Sequence, residues 1–282
     1  MSNLCERLKG KVAVLTGVSP NILGAIAERF AQEGARVAAL SLREDFAFGC
    51  ATYLQKLGHE AMGLVCDVTR EETVQSCAAS VIRKWGRVDI LVNGAATQIQ
   101  KSLLETNLSE WSKQLDVILT GAFVCTKIFA SEMVKRGIRG SIINIVSTEG
   151  HQGVPDNIAY ATAKGALLHF TRCAAMDLAR YGIRVNSLTP TATDETEAVE
   201  RAARWGVVWE GALAKAKAPS RLPPEAKAKL IPLGRLPRPS DYAGAAVFLA
   251  SDEASMITGV DLRVDGGAAS KYWQWLPHAS TT

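Results

Sequence analysis

The chain has 282 residues, 48% of them hydrophobic and 21% charged, which suits one large α/β domain better than two small ones. Its net charge of +4 comes from scattered basic residues, so no basic stripe is present to track a phosphate backbone, which speaks against nucleic acid as a partner. Six cysteines (Cys5, Cys50, Cys66, Cys77, Cys125, Cys173) form no CxxC pair and show no metal-ligand spacing, so no metal site is expected and they read as small buried hydrophobes of a reduced protein.

At the N-terminus, "MSNLCERLKGK" lacks an apolar core of signal-peptide length, and no run of about 18 uncharged apolar residues follows. A cytoplasmic protein with no membrane partner is expected. The first apolar run, "KVAVLTG", leads into "TGVSPNILGAIAERFA" (Thr16 to Ala31), which has the look of a phosphate-binding turn feeding a helix but lacks glycine where such turns carry it. Further runs follow in "ARVAALSL", "VDILVNGA" and "GSIINIVS". None is polar at alternate positions, as expected of strands buried on both faces of a parallel sheet. The segments between them space apolar residues three and four apart, as in Ile26 and Phe30 or Ala27 and Ala31, giving one buried helical face. Alternating strand and helix predict a single doubly wound (Rossmann-type) parallel sheet with helices on both faces. A stretch rich in alanine and charge, Thr191 to Leu230, reads as a helical insertion or lid containing Trp205 and Trp209. The aromatic tail, residues 270–282, follows "VDGG", where a compact domain could already have ended.

The chemistry centres on "YATAK", Tyr160 to Lys164. On a helix these two side chains share one face. A unit charge about 4 Å from a phenol is worth about 4 kcal/mol at an effective dielectric of about 20, enough to bring a pKa of about 10 toward neutrality. The pair can then act as a general acid/base. Alone, the pattern is more often a solvated helix face. Its context adds Ser147, thirteen residues earlier at the end of "SIINIVS", and Asn93 at the end of "ILVN", both where strand ends line a ligand crevice.

With these pieces in order ("LKGKVAVLTG", "CDV", "ILVNGA", Ser147, "YATAK", "RVNSLTP", "FLASDEASMITGVDLRVDGG"), the chain resembles the short-chain dehydrogenase/reductases from Lys9 to Gly267. The resemblance implies that Ser147 orients a carbonyl or alcohol, Tyr160 transfers the proton, and Lys164 binds the nicotinamide ribose and lowers the tyrosine pKa. It implies that Gly17, Ser19, Asn21 and Ile22 form the phosphate turn and that Asp67 and Val68 hold the adenine. Asn93 and Ala95 would pass near the ribose, and Pro190 and Thr191 would hold the carboxamide. It also implies a homo-oligomer, tetramer or dimer, with the tail in subunit packing; the two tryptophans of the insertion are expected in the substrate pocket, with ordinary packing or a subunit contact as the alternative.

The chain departs from the family's TGxxxGxG turn: Asn21 stands at the second glycine and Leu23 at the third. Asn21 is expected to supply glycine's positive φ, with Gly24 making room for the pyrophosphate by a shifted helix start. Ile118 replaces the usual asparagine, Thr191 a glycine, and Ala96 the last glycine of "NNAG". At the end of the second strand Ser41 and Arg43 offer a donor and a cation without a carboxylate, so NADP is preferred, with NAD as the alternative through Glu44 or Asp45. His151 lies nearest the site, either touching substrate or solvated, and His59, His169 and His278 show no metal spacing. The expected activity is hydride transfer between NAD(P) and a ketone or secondary alcohol, with a 3-oxoacyl thioester and a cyclic ketone both open. A catalytically weak dinucleotide-binding sensor or scaffold is the alternative.

Overall fold

In the computed structural model, residues 6–211 and 222–272 are described. Cys5, part of the Thr191 to Leu230 insertion, and most of the aromatic tail with His278 therefore lie outside the described residues. Strand and helix alternate as expected: β1 (Val12–Thr16), α1 (Ile22–Gln32), β2 (Arg36–Ser41), α2 (Glu44–Lys56), β3 (Ala61–Val65), α3 (Glu71–Trp85) and β4 (Ile90–Asn93) make the first half. The second half runs α4 (Leu108–Leu115), a π turn (Asp116–Thr120), α5 (Gly121–Lys135), β5 (Ser141–Ile145), α6 (Ile158–Ala179), β6 (Arg184–Pro190), α7 (Thr196–Trp205), α8 (Pro224–Lys229), α9 (Pro239–Ala250) and β7 (Asp261–Val264).

The seven strands form one parallel sheet in the order β3-β2-β1-β4-β5-β6-β7. Every residue of β1, β4 and β5 is buried, which is why their sequences are apolar without alternation. Successive side chains nonetheless serve different layers. Ala13 and Leu15 join Phe30, Val37 and Tyr242 beneath α1, α2 and α9, whereas Val12 and Val14 join Ala38, Leu91 and Phe129 on the other face. Strand order reverses between β1 and β4, so their carboxyl ends, with Thr16 opposite Asn93, open the crevice where ligands bind in such sheets.

One continuous helical stretch, Leu108–Lys135, is long and apolar enough to cross a membrane by composition, but half of its apolar window is buried within the fold. Phe129 and Met133 of this stretch are fully buried, so it is accounted for as a core helix.

Candidate active site

The phosphate turn works differently from the expectation. Asn21 has φ −81° and caps α1, so the expectation that it supplies glycine's positive φ is incorrect. That geometry belongs to Gly17 (φ +70°), where a Cβ would stand 2.4 Å from the Ala95 Cα. Pro20 then leads into the helix, and a negative φ at Asn21 suffices. Gly24 is not a spare phosphate glycine either: a Cβ there would meet the Ser19 carbonyl at 2.5 Å and the Trp205 ring at 2.8 Å. Leu23 is accommodated from the opposite wall. A Cβ on Gly94 would lie 2.5 Å from Leu23 Cδ2, so glycine in the β4 loop makes the space that glycine on the helix usually provides. No side chain caps α1 and the Gly24 N–H donates to the Asn21 carbonyl (3.1 Å), which leaves the N–H groups of Ile22 and Leu23 to an anion. This cradle fits a dinucleotide pyrophosphate.

Along the rest of the crevice, Ser41 is buried at the end of β2 and its Oγ accepts from the Arg43 N–H (3.3 Å), leaving the hydroxyl proton to donate. Arg43 stacks 3.8 Å over the Phe46 ring, and its Nε donates to Asp45 Oδ1 (2.9 Å), a pairing that holds the Asp45 carboxyl below its usual pKa. Ser19 and Ile22 flank the turn, and Asp67 accepts from Thr69 at the end of β3. Val68 packs on Gly121. Asn93 turns its amide inward, donating to Asn144 (2.8 Å) and Thr126 (3.0 Å).

A cleft of about 930 Å³ opens beside this groove and brings together Ser147, Tyr160, Pro190 and Thr191. Ser147 caps a short turn after β5: its Oγ accepts from the Glu149 N–H (3.2 Å), so the hydroxyl proton is available to a substrate oxygen. Lys164 is 2% exposed and donates to the Ile145 carbonyl (2.6 Å), with Nζ 5.6 Å from the centre of the Tyr160 ring. Burial alone pulls its pKa down to about 7. Ile118 is fully buried with Val146, Ala163 and Leu167, in the π turn ahead of α5.

Several expectations are not met. Trp205 and Trp209 do not line the cleft: Trp205 is buried against α1 with its indole N–H on Glu28 (3.1 Å), and Trp209 packs on Phe46. Apolar positions on α7 (Ala198, Ala202, Trp205) share one face, and that face turns toward α1. His151 does not line the cleft; it is exposed, as its solvated reading expects, with its Nε2 3.1 Å from Asp261 Oδ2 and 3.3 Å from Thr189 Oγ1. Sequence reasoning missed Thr148, which ties β5 to β6 through Thr191 (3.1 Å), and Tyr242, whose hydroxyl supports Thr193 (3.0 Å). It also missed the buried Arg201. Thr148 and Tyr242 carry no motif, and only their position beneath the cleft reveals them. No cluster able to hold a metal ion occurs among the described residues.

A doubly wound sheet with a turn that fits a pyrophosphate at its switch point, and Ser147 and Tyr160 in the cleft beside it, has the plan of a dinucleotide-dependent oxidoreductase. The family profile described as Enoyl-(Acyl carrier protein) reductase matches residues 17–269. An uncharacterized oxidoreductase of Thermotoga maritima is 37% identical over 94% of this chain and 98% of its own. D-threitol dehydrogenase of Mycolicibacterium smegmatis is 35% identical over 94% of this chain and 95% of its own. A gluconate 5-dehydrogenase from Burkholderia cenocepacia, solved with NADP and tartrate, superposes with TM-score 0.82 at 30% identity, covering 96% of this chain and 100% of that one. The chain belongs to the short-chain dehydrogenase/reductase family and is an oxidoreductase, which favours the enzyme over the sensor or scaffold.

Proposed function

We propose that the protein interconverts a secondary alcohol and a ketone on a small polyhydroxylated substrate, with Tyr160 as general acid/base. The observation that carries this reading is that Ser147 and Tyr160 line one cleft at the carboxyl ends of β5 and β6, with Lys164 buried behind the Tyr160 ring on the Ile145 carbonyl. Ser147 holds the substrate oxygen by donation while the Tyr160 hydroxyl gives or takes its proton. Lys164 sits behind the phenol with a pKa near neutrality, where its charge favours the phenolate. Lys164 and the cradle from Gly17 to Ile22 would hold a nicotinamide dinucleotide, which supplies or accepts the hydride when bound.

Thr148, Glu149, Thr193 and Asp194 line the cleft with hydroxyls and carboxylates, which suits a neutral polyol better than an acyl thioester. Relatives named D-threitol dehydrogenase and sorbitol dehydrogenase (Cereibacter sphaeroides, 32% identical) support the same class. The segment from Thr191 toward Leu230 contributes Thr191 to Glu195 and Pro224 to Ala228 to this wall, in keeping with a substrate lid on a single domain. NADP is the preferred cofactor: Ser41 has a hydroxyl proton to offer a 2′-phosphate, Arg43 adds a guanidinium, and the Arg43 pairing occupies Asp45, one of the two carboxylates that NAD would use, leaving Glu44. The neighbour solved with NADP is compatible with this preference, whereas a relative from Listeria innocua is named NAD-dependent glycerol dehydrogenase. A cytoplasmic homo-oligomer, tetramer or dimer, completes the reading; Cys50, Cys66, Cys77 and Cys125, all buried as free thiols, suit a reduced compartment.

The test is steady-state kinetics with NADP and NAD on a panel of acyclic polyols, cyclic diols, cyclic ketones and a 3-oxoacyl thioester. Turnover of a polyol with higher kcat/KM for NADP, moved toward NAD by Arg43→Ala, is the expected result. Preference for the thioester would overturn the substrate class, and preference for NAD the cofactor.

A further inference from the structure

The turn that lacks its glycines is held from outside. Arg201 on α7 is 4% exposed, and its Nη1 donates to the Pro20 carbonyl (2.9 Å), a backbone atom within the phosphate turn. Its Nε lies 3.1 Å from Glu28 Oε2 on α1. The same carboxylate takes the Trp205 indole N–H (3.1 Å) and pairs with Arg204 (3.2 Å). At the cleft end of α7, Glu195 Oε1 accepts from the Asn21 amide (3.4 Å). Two glycines admit this docking: Gly24 on α1, where a Cβ would meet Arg201 Cδ at 2.9 Å, and Gly49 on α2, where one would meet Val207 at 2.9 Å.

We propose that Arg201 is a positioning residue for cofactor binding, clamping the Pro20 carbonyl so that the turn presents its N–H groups to the pyrophosphate. This rests on the dinucleotide reading given above. In a trans peptide the carbonyl and the following N–H point in opposite directions. Fixing the Pro20 carbonyl on Arg201 therefore fixes the Asn21 N–H pointing away from α7, at a residue that lines the cleft. Glycine-rich turns reach this arrangement through backbone freedom. Here the chain between Gly17 and Gly24 contains Pro20, Asn21 and Leu23, and a guanidinium from a distant helix sets the peptide plane instead. Lysine at this position keeps the charge but has no planar fork to span a carbonyl and a carboxylate at once.

Arg201→Lys is expected to raise the Kd for NADPH, read by fluorescence titration, about tenfold while kcat at saturating cofactor stays within about twofold. In the cofactor-free protein the amides of Asn21 to Leu23 should exchange hydrogen about tenfold faster, with exchange in the β1 core unchanged. Glu28→Gln, which leaves the Pro20 contact in place and loosens its support, should move both readouts in the same direction by less, and it serves if Arg201→Lys does not fold. Unchanged Kd and unchanged local exchange in either folded variant would overturn the proposal, as would a fall in kcat with Kd intact. Wild-type protein that binds neither cofactor would sink the dinucleotide reading, while the exchange measurement still decides whether Arg201 holds the turn.

Discussion

The two ends of the crevice were built by different rules. At the proposed catalytic end, Ser147, Tyr160 and Lys164 would act through side-chain atoms, and their residue types and spacing stand in the sequence itself. At the proposed phosphate end a ligand would meet backbone N–H groups, so what must be preserved is a path for the main chain and not any particular residue. Glycine can then move. Leu23 occupies the helix position where glycine is usual, and Gly94 in the facing loop yields the space. A site made of side chains is thus recognisable one residue at a time, whereas a site made of backbone is recognisable only as a set of mutually spaced neighbours.

The sharpest way to break this contrast is Gly17→Ala, because Gly17 combines positive φ with a 2.4 Å approach to Ala95. Destabilisation of about 3 kcal/mol by urea unfolding, with loss of cofactor binding, is expected. Near-normal stability would mean that the turn is less constrained than its geometry requires.

Lys164 allows a test by pH. Burial lowers its pKa from 10.5 to about 7, so between those values the unfolded chain binds the proton that the folded one releases, and stability rises with pH across that window. Below pH 7 both states are charged and the burial penalty, up to about 5 kcal/mol, is fully present. In cofactor-free protein, Lys164→Met should therefore be more stable than wild type at pH 6.5, with the advantage shrinking toward pH 10. A difference independent of pH would contradict the buried-cation account.

The exchange of glycine between two walls is tested by a double-mutant cycle. Gly94→Ala drives a methyl against Leu23 and should cost about 2 kcal/mol. Adding Leu23→Ala should recover about 1 kcal/mol beyond additivity. Additive losses would remove the explanation for Leu23. Smallest in effect is Ile118→Asn: a polar side chain beside Ala163 and Val146 should change kcat by about threefold and move its pH profile, measured on purified enzyme. No movement in either would leave Ile118 as packing alone, as its place among Val146, Ala163 and Leu167 also allows.

The sheet was legible because strands buried on both faces must be apolar at every position, and β1, β4 and β5 are. The proposed trio could be picked out of the sequence for the reason already given, and its role rests on the proposal above. Asn21 was misjudged because tolerance of positive φ is a property of the residue, while need for it is a property of the fold, and the fold placed that need at Gly17. Trp205 and Trp209 were assigned to the pocket because an insertion beside a substrate site suggests apolar lining. The α7 face instead follows Glu28 and Gly24 on α1, two positions with no signal until the helices are docked. Arg201 was invisible for the same reason, since its partner is a carbonyl 181 positions away.

In the proposed mechanism Tyr160 transfers the proton, with Ser147 holding the substrate oxygen and Lys164 favouring the phenolate. Tyr160→Phe, assayed with NADPH titration and with turnover of the best polyol, tests it most directly. Binding within about twofold of wild type and kcat reduced at least about a hundredfold is the predicted result. Turnover that survives the loss of the hydroxyl would contradict it.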